Sequence, residues 1–184
     1  MARFRVGDVS GSVVAFDAAV ALRPELRGVL WQRGLSLYYA GRYTDCSQQF
    51  RGDIALNQQD AEEIVWTALC EAQDNGFGAA SAAMPALPLP ERRPIMREVL
   101  ALFRGEHAPD ALLRAGDVGS TDSAAFFYSR LYLGLYYEAN GDADRAAAFV
   151  RDAVESPYAR RGSSDYMIAL AKVHQQQRRG GGEP

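Results

Sequence analysis

The chain has 184 residues and a formal net charge of −3 at pH 7, with 48% hydrophobic and 23% charged residues. This composition indicates a single globular domain with one sizeable core, and it argues against a fibrous or wholly disordered chain. Because Lys and Arg nearly balance Asp and Glu, no basic field would attract nucleic acid, and no apolar run approaches the roughly 20 residues that cross a bilayer.

The first predicted element is a helix that follows Gly7 and ends before Pro24, whose missing N–H discourages continuation. Its apolar stripe consists of Val9, Val13, Phe16 and Val20. Only six residues precede Gly7, so the helix that would pair with this one is missing or very short. We therefore expect a second copy of the chain, a partner protein or the C-terminal helix to cover Val13, Phe16 and Val20.

A period of 34 residues relates this segment to the next one. Three apolar or glycine positions recur at that offset without a gap, since Gly7, Phe16 and Leu22 become Gly41, Phe50 and Leu56. A further copy lies 100 residues on, where residues 130–139 and Gly141 repeat the pattern of residues 30–39 and Gly41. The chain is therefore predicted to be built from helical repeats.

Two glycines in each copy have a defined physical role. Gly34 and Gly134 lie within apolar helical faces, where a minimal side chain lets the second helix of a hairpin approach closely. Gly41 and Gly141 follow the first helix of each pair, where glycine can adopt the left-handed conformation that caps a helix. Each repeat is predicted to be a helix, a tight turn and an antiparallel helix.

The middle of the chain interrupts this pattern. Asp60 is predicted to cap a helix over residues 60–75, but an alanine-rich segment after Gly76 and several prolines indicate an extended or irregular connection. The prolines are Pro85, Pro88, Pro90 and Pro94, and both Pro94 and Pro109 are predicted to start helices. Capping clusters are predicted at residues 120–123 and at Ser163, Ser164 and Asp165.

The positions of these glycine, aromatic and alanine residues resemble the tetratricopeptide-repeat (TPR) family. The resemblance is carried by Gly34, Tyr38, Gly41, Tyr43, Phe50 and Leu56 in one repeat and by Gly134, Gly141, Ala146 and Ala153 in another. Cys46 and Asp53 stand where alanine is usual, and Gln58 replaces a closing proline. The resemblance implies an all-α, right-handed solenoid of three to four helical hairpins with an irregular, proline-rich interruption.

We expect this solenoid to form one domain over residues 1–176. Its repeats are expected at about 5–26, 27–60, 61–76 (degenerate) and 123–156, with irregular helices over 94–116, a final helix over 163–176 and a disordered tail over 177–184.

The order of the elements also resembles the NlpI-like lipoprotein adaptors of bacterial cell envelopes. That resemblance implies a helical adaptor, often self-associating, with no activity of its own. No lipid-attachment cysteine lies near the start, so envelope anchoring is not implied. We expect a soluble, intracellular protein of the cytoplasm that binds a protein or peptide, with a homodimer left open. The alternative is a structural subunit built permanently into an organellar or ciliary assembly.

In a TPR superhelix the first helix of each pair lines the concave groove, so apolar and aromatic residues there are candidate contacts to a partner. The candidates are Trp31, Leu35, Tyr38, Tyr39, Leu131 and Leu135. The alternative is that these side chains pack between neighbouring helices, and both uses stay open. A clamp for chaperone C-termini is not expected, because it needs a Lys and Asn pair where Trp31 and Leu35 stand.

The sequence offers no constellation for catalysis, so we expect no enzymatic activity, no cofactor and no metal. His107 and His174 have no second ligand at metal-binding spacing, and both are expected in a loop or at the surface. Cys46 and Cys70 lie on apolar helical faces, where two buried thiols in a reducing compartment are favoured over a disulfide or a metal site.

Overall fold

A computed structural model describes residues 1–56, 60–87, 91–162 and 164–180, and every regular element within these ranges is helical. The expected all-α class is therefore confirmed. The chain divides into two compact units, Met1–Glu91 and Arg92–Pro184, which we call the N-terminal and the C-terminal unit. A single domain through residue 176 stays a prediction, and each unit is described by itself.

The N-terminal unit consists of six α-helices and one 3₁₀-helix in its described residues. They are α1 (Ala2–Arg5), α2 (Val9–Leu22), the 3₁₀-helix Pro24–Val29, α3 (Trp31–Tyr39), α4 (Tyr43–Leu56), α5 (Ala61–Asn75) and α6 (Phe77–Ala82). From α1 to α6, each α-helix packs against the next one in the chain. The core is rich in aromatic side chains, with Tyr38, Phe50 and Trp66 all buried.

The apolar face of α2 is buried within the N-terminal unit itself. Val13, Phe16 and Val20 pack in a helix that contacts α1, the 3₁₀-helix and α3. This corrects the expectation that a second copy, a partner or the C-terminal helix covers that face. The helix before Gly7 is very short, in agreement with the sequence analysis, since α1 has four residues, but the sequence pattern did not reveal the 3₁₀-helix. Phe4 of α1 is fully buried, and its ring lies 5.8 Å from that of Tyr39. A homodimer stays a prediction, but an uncovered face of α2 is no longer a reason to expect one.

The C-terminal unit also consists of six helices in its described residues. They are α7 (Pro94–Phe103), α8 (Pro109–Asp117), α9 (Ala124–Ala139), α10 (Ala143–Glu155), α11 (Pro157–Arg160) and α12 (Tyr166–Gly180). As predicted, Pro94 and Pro109 occupy first-turn positions, Ser123 caps α9, and the Asp165 carboxylate accepts a hydrogen bond from the backbone N–H of Met167 at the start of α12.

The α3–α4 hairpin and the α9–α10 hairpin contain glycine at the positions that the sequence predicts. A Cβ atom on Gly34 of α3 would lie 2.6 Å from ring atoms of Phe50 on α4, and one on Gly134 of α9 would lie 2.5 Å from a methyl group of Val150 on α10. Gly41 and Gly141 have φ angles of +72° and +79°, which place them in the left-handed region at the turns. The close helix approach and the glycine caps are therefore confirmed in both hairpins.

Other sequence expectations need correction. The segment after Gly76 forms the short helix α6, because alanine has a high helix propensity and Gly76, at φ +80°, separates it from α5. Helix α12 continues to Gly180, so residues 177–180 are helical rather than disordered. Asp60 caps α5 as predicted. The predictions for Gln58, Pro88, Pro90, Ser163 and residues 181–184 lie outside the described residues.

Cys46 and Cys70 form a disulfide that joins α4 to α5, which corrects the expectation of two free thiols. Packing of α5 on α4 brings their Cα atoms to 6.0 Å, within the range that a disulfide spans. Both side chains are fully buried. The sequence could not decide this, because a separation of 24 residues does not fix which faces of two helices meet. The expected cytoplasmic location stays a prediction.

We expect Gly34→Ala to destabilise the protein by about 1–3 kcal/mol, because the added methyl group overpacks the contact with Phe50. The matched control is Gly52→Ala on the exposed side of α4, where a Cβ atom meets nothing within 4 Å. Alanine there should stabilise the helix by roughly 0.5–1 kcal/mol. Chemical denaturation measures both, and two changes of the same sign would contradict the packing described here.

Removal of the disulfide by Cys46→Ala together with Cys70→Ala should lower the free energy of unfolding by about 3.5 kcal/mol. This value is the chain entropy that the unfolded state regains when the loop between the two cysteines is no longer closed. Reductant should lower the stability of the unsubstituted chain to the same level and leave the double variant unchanged. Alkylation of the unfolded, unreduced chain followed by mass spectrometry checks the bond directly. Labelling of both cysteines would show that no disulfide forms.

Candidate functional site

Four of the six predicted groove residues are core residues. Leu35 and Tyr38 on α3 and Leu131 and Leu135 on α9 are almost completely buried. Tyr38 packs edge-on against the rings of Tyr43 and Trp66, at centroid distances of 5.7 and 5.3 Å. These four side chains are therefore not accessible to a partner in this structure. They pack between neighbouring helices, which is the alternative that the sequence analysis left open.

Trp31 and Tyr39 are the two predicted groove residues that keep part of their surface exposed. They lie at the first and last positions of α3, and the Tyr39 ring contacts those of Phe4 and Tyr38. Of the predicted residues, these two are the ones that can contact a partner without a rearrangement of the core.

A cavity of about 320 Å³ in the C-terminal unit brings together residues that the sequence analysis did not connect. It lies among α9, α10 and α12, and is lined by Glu138, Ala143, Ala146, Ala147, Val150, Arg151, His174, Gln175 and Arg178. Its wall on α10 is formed largely by small apolar side chains. We call it the α10–α12 cavity.

Polar side chains from α9 and α12 meet along one side of this cavity. Arg178 donates a hydrogen bond from Nε to Oε1 of Glu138, and Nε2 of His174 lies 3.5 Å from Oε2 of Glu138. Burial raises the pKa of Glu138, although the Arg178 guanidinium opposes that shift. Burial lowers the pKa of His174 to about 3, and the charge of Arg178 acts in the same direction. His174 is therefore neutral at physiological pH, and its contact with Glu138 is not an ion pair.

The burial of His174, only 3% exposed, corrects the expectation that it lies at the surface. The helical spacing contained a signal for it, because His174 follows Leu170 by one turn and Tyr166 by two, and both are buried. His107 is in an exposed loop as expected, where its Nδ1 lies 2.7 Å from Oε2 of Glu98.

A second polar cluster lies inside the N-terminal unit. The buried Arg33 donates two hydrogen bonds to Oδ1 of Asp17, from Nε at 2.9 Å and Nη2 at 2.7 Å, and one to Oε1 of Gln49 at 3.0 Å. Gln49 in turn donates to Asp53 at 2.9 Å. These bonds connect α2, α3 and α4. Each side chain of this cluster has a charged or amide partner, as buried polar groups require.

The buried carboxyl group of Glu63 on α5 is not fully hydrogen-bonded by the residues that the structure describes. It is buried, and within the described part of the chain neither its Oε2 nor Nε1 of Trp66 makes a hydrogen bond. Burial raises the pKa of Glu63 to about 8, with further contributions from the carboxylates of Asp60 and Asp53. Burial also raises the pKa of Asp53 to about 6, against the opposing effects of Gln49 and Arg33. We therefore expect the stability of the N-terminal unit to depend on pH.

Within the described residues, no group of three or more His, Cys, Asp and Glu side chains is placed to hold a metal ion. None of the helices in the same ranges combines the length and the apolar character needed to cross a lipid bilayer. No protein-family model matches the chain. The TPR assignment therefore stays a prediction.

Replacement of Glu63 by glutamine should flatten the pH dependence of stability between about pH 5 and pH 8. Because its folded-state pKa of about 8 is above the ordinary value of 4.5, the folded state holds the proton more tightly and stability is lost as pH rises through this window. The slope is at most about 1.4 kcal/mol per pH unit for one group. Urea denaturation at several pH values measures it.

The control for this measurement is Glu155→Gln, at an exposed position at the end of α10. Its slope should match that of the unsubstituted chain. If Glu63→Gln also leaves the slope unchanged, Glu63 does not stay protonated in the folded state.

Proposed function

We propose that this chain is a TPR-type helical repeat protein that acts as an adaptor without enzymatic activity and binds a peptide or protein segment. The observation that carries the proposal is the shared construction of the α3–α4 and α9–α10 hairpins, each with one glycine at the helix contact and one at the turn. Stacked repeats of this kind present extended surfaces to other proteins. The resemblance of the element order in the sequence to NlpI-like adaptors supports the same function.

In the N-terminal unit, the surface proposed for binding includes Trp31 and Tyr39. Aromatic side chains contribute strongly to protein interfaces, because they bury a large area while losing little rotamer freedom. Both are partly exposed at opposite ends of α3, so an extended segment that follows α3 could contact both.

A structural subunit of a permanent assembly is the second candidate, and the outer face of α2 favours it. Val14 and Leu22 are 69% and 84% exposed, and with the exposed Ala18 they form a stripe at spacings of four residues. Helix α2 thus carries apolar residues on its outer face as well as on its buried one, which is unusual for a helix that stays in water. Such a subunit should aggregate when purified alone, whereas an adaptor should remain a monomer or dimer.

The adaptor proposal is tested by purifying the tagged chain from its native cells and identifying the bound proteins by mass spectrometry. Trp31→Ala together with Tyr39→Ala should remove a specific partner. Trp31→Phe together with Tyr39→Phe should retain it, because the aromatic contacts persist. Circular dichroism verifies that both pairs fold. A partner set unaffected by the alanine pair would exclude this surface as the binding site.

A further inference from the structure

The α10–α12 cavity has the size and construction of a small binding site. Its volume of about 320 Å³ is at the lower end of the range for ligand pockets in proteins. A space of this size accommodates one or two side chains rather than a whole helix or a nucleotide. Ala143, Ala147 and Val150 line one wall, so the portion of a ligand that enters there must be apolar.

The charges around the cavity indicate which polar group such a ligand carries. Arg178 is compensated by Glu138, and His174 is neutral, so neither leaves an unbalanced charge. Arg151 lines the same cavity from the exposed side of α10. It adds a positive charge that the other lining residues do not balance.

A cationic ligand fits this arrangement poorly. It would approach Arg151 and Arg178 together, and the one lining carboxylate, Glu138, already accepts a hydrogen bond from Arg178. Oε2 of Glu138 has no hydrogen-bond partner within the described residues, but it is buried and therefore not exposed to a ligand in the cavity. A carboxylate, in contrast, can accept charge-assisted hydrogen bonds from the guanidinium of Arg151.

We propose that the α10–α12 cavity binds a short peptide segment that places an apolar side chain against the exposed Ala143 and Ala147 and an adjacent carboxylate against Arg151. This inference rests on the proposed adaptor function and adds the chemistry of the bound segment. The site differs from the surface of Trp31 and Tyr39, because its lining residues all belong to the C-terminal unit.

The test begins with selection of a random 12-residue phage-display library on the purified full chain. Enriched peptides should share an Asp or a Glu next to Leu, Ile, Val, Met or Phe. The consensus peptide is then synthesised, and its Kd is measured by fluorescence anisotropy. Enrichment of basic peptides, or of apolar peptides without an acid, would overturn the proposal.

Variants of the chain locate the binding site. Arg151→Glu should weaken binding at least about tenfold, which corresponds to the loss of one hydrogen bond between charged groups. Ala147→Phe should weaken it similarly by filling the cavity. The matched controls are Arg160→Glu on α11 and Ala124→Phe on α9, which are exposed positions outside the cavity and should leave the Kd unchanged.

A double-mutant cycle identifies the charged pair. A peptide whose acid is replaced by its amide should bind about tenfold more weakly to the unsubstituted chain, and Arg151→Glu should then cause little further loss. If peptides bind but the cavity variants do not change their Kd, the cavity proposal fails while the adaptor proposal stands. If no peptide is enriched, the cavity proposal also fails, and the capture experiment with Trp31 and Tyr39 decides the adaptor function separately.

Discussion

The close approach of two antiparallel helices is the constraint on which the rest of each unit depends. At Gly34 and Gly134 the absence of a side chain lets a residue of the second helix occupy the space that a Cβ atom would take. The contact fixes the register of each hairpin. In the N-terminal unit it also holds Phe50 in the core, where the ring of Trp66 stacks on it at 6.3 Å.

Two residues of α4 differ from the TPR pattern that the sequence resembles, and both have physical explanations in this structure. Cys46 and Asp53 stand where the family usually has alanine, and each makes a specific bond in this structure. Cys46 does so covalently through Cys70 on α5, and Asp53 by accepting a hydrogen bond from Gln49, which itself contacts Arg33 on α3. Specific bonds thus replace part of the small-residue packing at these positions.

The equivalent positions of α10 are the alanines 146 and 153, so the same repeat is built differently in the C-terminal unit. There α10 carries a row of small residues, and the space beside them remains as the α10–α12 cavity. The half-buried Glu138 on α9 and the buried His174 on α12 close one side of it. One repeat pattern therefore accommodates a cross-linked hairpin in one unit and a cavity in the other.

The sequence by itself determined the helical class, the two hairpins with their glycine contacts, and the caps at Asp60, Ser123 and Asp165, because these depend on local backbone preferences and on a fixed repeat. Only the tertiary structure decided that Tyr38 is core, that Cys46 meets Cys70, and that His174 and Arg178 gather at Glu138. Such features depend on which faces of distant helices meet. Helical periodicity identifies the apolar face of a helix but not the helix that packs against it. More of the fold than of the candidate site could therefore be predicted from the sequence.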